Sequence, residues 1–97
     1  MPRPSRCRRI RCNPDTNYFK PAGIPLDMLE EVNLKLDELE AVRLADLEGL
    51  YQKEAAKKMN ISRQTFGNII GKAHKKIADV LLNAKALKIE GGTVKRV

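Results

Sequence analysis

The sequence predicts a mainly α-helical fold: a helix-turn-helix bundle with a long C-terminal helix and short β-hairpins at both termini. Three observations carry this. Residues 52–71, QKEAAKKMNISRQTFGNIIG, place small and apolar side chains where two steeply crossing helices need them. Phe66, Ile69, Ile70, Ala73, Ile77, Val80, Leu81 and Ala84 then recur every three or four positions, the stripe of one long amphipathic helix. The flanks differ. Five prolines fall within residues 1–25, and Gly91-Gly92 divides two short apolar runs near the end.

Taken in order, residues 1–25 form a basic N-terminal arm or hairpin. Arg8–Cys12 and Asn17–Lys20 flank Asn13-Pro14-Asp15-Thr16, a good type I turn, and Ile10, Tyr18 and Phe19 give the pair an apolar side. Residues 26–86 form the helical domain. Leu26, Leu29 and Val32 have the spacing of one short helix. Asp37-x-x-Glu40 resembles a capping box opening a helix with Leu39, Val42 and Leu47 on its apolar side, ended by Gly49. Helices follow at about 52–59 and 62–85. On the first, Ala55, Ala56 and Met59 share a face, and Ala56 lets the two backbones approach. Asn60 sits where the chain reverses, because Asn tolerates positive φ better than most residues. Ile61 plugs the corner, and Ser62 caps the second helix through its hydroxyl. Residues 87–97, LKIEGGTVKRV, read as a C-terminal hairpin or tail.

A helix-turn-helix places its second helix in the DNA major groove. Here that helix directs Arg63, Gln64, Gly67, Asn68 and Gly71 outward, followed by Lys72, Lys75 and Lys76. Arg, Gln and Asn pair bidentately with base edges. Two glycines weaken a helix and suit a surface that approaches a sugar-phosphate backbone. The DNA-contacting set read from this face is therefore Arg63, Gln64, Asn68, Lys72, Lys75 and Lys76, with Arg8 and Arg9 from the arm. The three lysines have no acidic partner along the chain before Asp79.

Charge distribution agrees. The 97 residues carry a net charge of +7. Six basic residues and one acid occupy positions 1–26, two basic and eight acidic occupy 27–48, and eleven basic and three acidic occupy 49–97. Lys and Arg on phosphates release counterions and give salt-sensitive affinity. The acidic stretch reads as a solvated helix face directed away from DNA, with Asp37 and Glu40 paired to helix neighbours.

The stretch LDELEAVRLADLEGLYQKEAAKKMNISRQTFGNIIGKAHKKIADVL resembles region four of bacterial sigma factors, the domain that reads the −35 promoter element. Nearly the whole chain, including YFKPAGIPL, LADLEGLYQKEAA and KALKIEGG, resembles an uncharacterised prokaryotic family of small predicted DNA-binding proteins. The resemblance implies a DNA-binding role with Ser62, Arg63, Gln64, Thr65 and Asn68 facing the groove. One departure is Asn60, where such turns more often carry Gly. The other sigma-factor regions are missing, so the chain is not itself a sigma factor.

The expected function is sequence-specific binding of double-stranded DNA by a transcriptional regulator. The alternatives are an interaction module docking on RNA polymerase or a sigma partner through the acidic helix and the bare apolar stripe, and an RNA binder through the basic surface. RNA readers stack bases on aromatics, and this chain has two Tyr and two Phe. No P-loop, GxSxG or HExxH occurs, so an enzyme is not expected. No cofactor is expected either. Cys7 and Cys12 are weak metal candidates, two ligands where structural zinc takes four. His74, at the edge of the apolar stripe, reads as a packed side chain. MPRPSRCRRIRC has no apolar h-region and no 18-residue apolar run occurs, so a cytoplasmic protein without membrane contact is expected. Ile77, Val80, Leu81 and Ala84 prolong the apolar stripe beyond a three-helix core, which predicts a homodimer unless Tyr18, Phe19, Ile24 and Leu26 fold back over it.

Overall fold

The computed structural model describes residues 8–96. Among them three α-helices dominate, accompanied by two small sheets. α1 spans Leu36–Val42 and continues through a wider turn over Arg43–Leu47, where Glu48 N–H reaches back five residues to the Arg43 carbonyl at 2.9 Å. α2 spans Gln52–Lys58 and α3 spans Arg63–Asn83.

The helix boundaries follow local chemistry. Gly49 ends the α1 extension with φ +72°, as its lack of a Cβ allows. Asn60 takes φ +59° between α2 and α3. Ser62 Oγ accepts from Thr65 N–H at 3.0 Å and opens α3. α3 closes on Ala84, also left-handed, at φ +51°. The proposed start of α1 at Asp37-x-x-Glu40 is displaced. The helix begins at Leu36, and Glu38 reaches back so that its Oε1 accepts from Lys35 N–H at 2.8 Å. Asp37 and Glu40 are buried instead.

The interior is where the periodicity puts it. Ala41, Leu44, Ala55, Ala56, Met59, Phe66, Ile69 and Ile70 form the main cluster, with Ile61 packed against it from the turn. Phe66, Leu44 and Met59 are almost wholly enclosed. A second cluster of Leu34, Ala73 and Ile89 joins α3 to the sheet. Leu47 is the exception among the expected core residues, because the wide turn carries it out to solvent at 82% exposure.

The strands depart most from expectation. β1 (Arg8–Ile10) pairs in parallel with β5 (Val94–Arg96), Arg9 facing Lys95. β2 (Tyr18–Phe19) pairs antiparallel with β4 (Ala86–Ile89), and β3 (Glu31–Leu34) pairs in parallel with β4 from the other side. Neither terminal hairpin forms, since each expected arm finds its partner at the opposite end of the chain. The short helix expected at Leu26–Val32 is reduced to one tight turn over Leu26–Met28. Glu31 and Asn33 are exposed while Val32 is half-buried and Leu34 buried, an alternation that belongs to a strand.

Gly91 and Gly92 likewise make no two-residue hairpin turn. They pass over the start of α1, where the Gly91 carbonyl accepts from Leu36 N–H at 2.9 Å. A Cβ on Gly92 would stand 3.1 Å from Asp37 Oδ1, so close approach as well as φ +104° requires glycine there.

The acidic stretch is solvated only in part, with Asp27, Glu30, Glu31, Asp46 and Glu48 exposed. Asp37, Glu38 and Glu40 are each less than a tenth exposed. Glu40 Oε1 accepts from Arg43 Nε at 2.7 Å and Cys12 N–H at 3.3 Å; its Oε2 accepts from Arg43 Nη2 and Arg11 N–H, both at 2.9 Å. Burial alone would raise the Glu40 pKa, but the Arg43 hydrogen bonds and the two backbone donors outweigh it and hold the carboxyl below its ordinary value. Arg43 also pairs with Glu48, and this company raises the guanidinium pKa, its hydrogen bonds to Glu40 foremost. Among the described residues no helix is long and apolar enough to cross a membrane.

Candidate nucleic-acid interface

α3 presents its buried stripe to α1 and α2, and its opposite face is open. With 100° per residue, Gln64, Asn68, Gly71 and Lys75 fall along the centre of that face, and Arg63 and Lys72 flank it. All six are exposed. The Arg63, Gln64 and Asn68 side chains make no hydrogen bond or ion pair among the described residues, so their donors and acceptors are unspent. Lys72 and Lys75 are likewise outside every ion pair among the described residues.

The other expected residues are placed differently. Ser62 and Thr65 are occupied with each other: besides the cap, Ser62 Oγ donates to Thr65 Oγ1 at 2.8 Å, and Thr65 is half-buried. Lys76 turns off the open face and donates to the buried Glu38 Oε1 at 2.7 Å, so it does have an acidic partner short of Asp79, supplied by α1. Arg8 stands with Nε 3.5 Å from Asp37 Oδ2, and its backbone N–H donates to Thr93. Arg9 is exposed, its N–H bound to the Met59 carbonyl at 3.1 Å. Arg8 and Arg9 therefore belong to a strand docked beside the α2–α3 turn and not to a loose arm. Cys12 is buried, while Cys7 lies outside the described residues. His74 is exposed, its Nε2 2.6 Å from Asp46 Oδ2, where packing in the stripe was the expectation.

The two glycines of α3 differ in their surroundings. A Cβ on Gly71 would meet nothing within 4 Å, which leaves an open flat spot on the exposed face. A Cβ on Gly67 would meet only the flexible end of the exposed Gln52 side chain, its Oε1 at 3.4 Å.

Arg11 and Lys58 join Arg9 around a concavity between β1 and the end of α2. Lys58 was not singled out by sequence, although the Lys57-Lys58 pair immediately before the turn is a local basic run that points there.

The profile of a family described as "Protein of unknown function DUF134" matches residues 1–97. A UPF0251 protein of Caldanaerobacter subterraneus subsp. tengcongensis is 58% identical over 95 residues, which cover 98% of this chain and 80% of that protein. One of Thermoanaerobacter pseudethanolicus is 54% identical over 92 residues, covering 95% of this chain and 78% of that one. A third, of Dehalococcoides mccartyi, is 60% identical over 92 residues, with coverage of 95% and 79%. No solved structure matches. With a family profile matched from end to end and relatives of this identity and coverage, the chain belongs to the DUF134 family of UPF0251 proteins.

Proposed function

We propose that this protein is a sequence-specific binder of double-stranded DNA and a cytoplasmic transcriptional regulator. In this reading α2, the turn and α3 act as a helix-turn-helix of the sigma region-four kind, and α3 enters the major groove from Ser62 onward. One observation carries it: Arg63, Gln64 and Asn68 stand exposed at the start of α3 with no partner among the described residues. These are side chains that read guanine and adenine edges, and base-reading residues cluster at the beginning of a recognition helix. Lys72 and Lys75 continue the same face as phosphate contacts.

The polymerase-docking alternative loses Asp37, Glu38 and Glu40 from its acidic surface, since these are buried, and keeps the exposed Asp46 and Glu48 and the exposed end of the apolar stripe. Selection of bound fragments from random duplex DNA tests the proposal. Arg63→Ala or Gln64→Ala is expected to cost about 1–3 kcal/mol on the selected site and to relax base choice at one position. Equal loss on selected and random duplexes would overturn the reading.

A homodimer through the C-terminal half of α3 is part of the same proposal. Leu81 and Leu82 are 75% and 83% exposed. The N-terminal segment does fold toward them, since Phe19 and Pro21 share a cavity with Val80, Leu81 and Ala84. It leaves most of both leucines uncovered, and Phe19 itself is 53% exposed.

A further inference from the structure

The concavity between β1 and the end of α2 has a volume of about 360 Å³. It is lined by the exposed Arg9, Arg11 and Lys58, here its rim, and by Glu40, Arg43 and Glu48, here its floor, with the buried Ile10 and Leu44. On the floor one guanidinium serves two carboxylates, Arg43 binding Glu40 with two nitrogens and Glu48 with the third, so the floor keeps a net charge of −1. The rim carries +3. None of its three cations makes an ion pair among the described residues. Strand alternation buries Ile10 and puts Arg9 and Arg11 on one side, while the bond from Arg9 N–H to the Met59 carbonyl holds that side against the last turn of α2. Three like charges are thus gathered over a floor whose two carboxylates are both bound by Arg43, which leaves the concavity a surplus of positive charge. Such an arrangement repels itself and is relieved by an anion among the cations.

We infer that Arg9, Arg11 and Lys58 form a binding site for a phosphoryl group. Two guanidiniums present planar forks to phosphate oxygens and the ammonium adds a point charge. The phosphoryl group comes from the backbone of a bound duplex or from a free phosphorylated small molecule, two sources with one recognition chemistry. The site lies apart from the open face of α3, and its test does not depend on base reading by that helix.

The test is a titration of the full chain with pyrophosphate, followed by amide resonances in nuclear magnetic resonance spectra, and repeated with the triple variant Arg9→Gln, Arg11→Gln, Lys58→Gln. Shifts confined to residues 9–11 and 58–60, weakened at least about tenfold in the triple variant and unchanged in Lys88→Gln, are the expected result. A parallel titration with the selected duplex identifies the source. Displacement of pyrophosphate by duplex assigns the phosphate to DNA, and simultaneous binding assigns it to a free ligand. Lys58→Gln alone serves where the triple variant unfolds, since that side chain carries no structural bond. The inference is overturned where pyrophosphate leaves those amides unmoved and the triple variant binds duplex as tightly as the parent chain. Failure of Arg63 and Gln64 to read bases would leave the pyrophosphate result standing.

Discussion

Each oxygen of the Glu40 carboxylate accepts one guanidinium N–H and one backbone N–H. Glu40→Gln would turn one of those oxygens into an NH₂ facing two donors. Removing one partner from a buried ion pair commonly costs several kcal/mol, and because Arg43 keeps Glu48 and is a quarter exposed, about 2–3 kcal/mol is expected here. The effect carries a pH signature. The folded-state pKa of Glu40 lies below its ordinary 4.5, so its stabilisation is fully present above 4.5 and is lost as the pH falls through the folded value. Urea midpoints of parent and variant should therefore differ at neutral pH and converge in acid; a gap that persists at low pH would contradict this assignment. Ala84 offers the opposite case. At φ +51° it pays the left-handed penalty of a residue with a Cβ, and Ala84→Gly should raise stability by about 1 kcal/mol, read from the shift in thermal midpoint.

On α3 the lysines should separate by role. Neutralising Lys72 or Lys75 is expected to weaken duplex binding similarly on all sequences and to reduce the salt slope by about 1. Lys76→Gln should leave the slope alone and lower stability instead, because Glu38 would lose its cation while remaining buried. Affinity measured against salt, beside urea unfolding, distinguishes the two outcomes. Sequence periodicity sees that Lys72, Lys75 and Lys76 follow the reading residues, but it cannot see that α1 approaches at Lys76. The same limit governs the rest of the chain. Ala55, Ala56, Met59, Phe66, Ile69 and Ile70 were legible because a helix buries residues by local spacing, and Asn60 and Ser62 because turn and cap chemistry is local. Strand partners are not local. Asn13-Pro14 and Gly91-Gly92 both look like hairpin turns, yet Arg8 lies opposite Val94 and Tyr18 opposite Lys88. The buried acids escaped for a related reason, since a charge count does not reveal that Arg8, Arg11, Cys12 and Lys76 arrive from distant positions to meet them. The exposed residues of α3 were legible as a set, but whether each had a partner was not.

For the whole molecule the sharpest expectation is its mass. Light scattering at micromolar concentration should give twice the 10.9 kDa of one chain. Leu81→Glu with Leu82→Glu should return it to the monomer value without loss of helix content. A monomer at every concentration tested would reject the dimer. The pairing of the strands has a further consequence, for biosynthesis. A ribosome releases the chain from its amino end, so β1, β2 and β3 all emerge before β4 and β5, with which they pair. Until then their edges are unsatisfied and open to wrong partners. The helices from Leu36 to Asn83 make much of their contact with one another and can condense early, whereas both sheets wait for the last dozen residues. Those residues act as a latch, and a released chain truncated before Ala86 would hold its helices together while leaving three strands without a ladder.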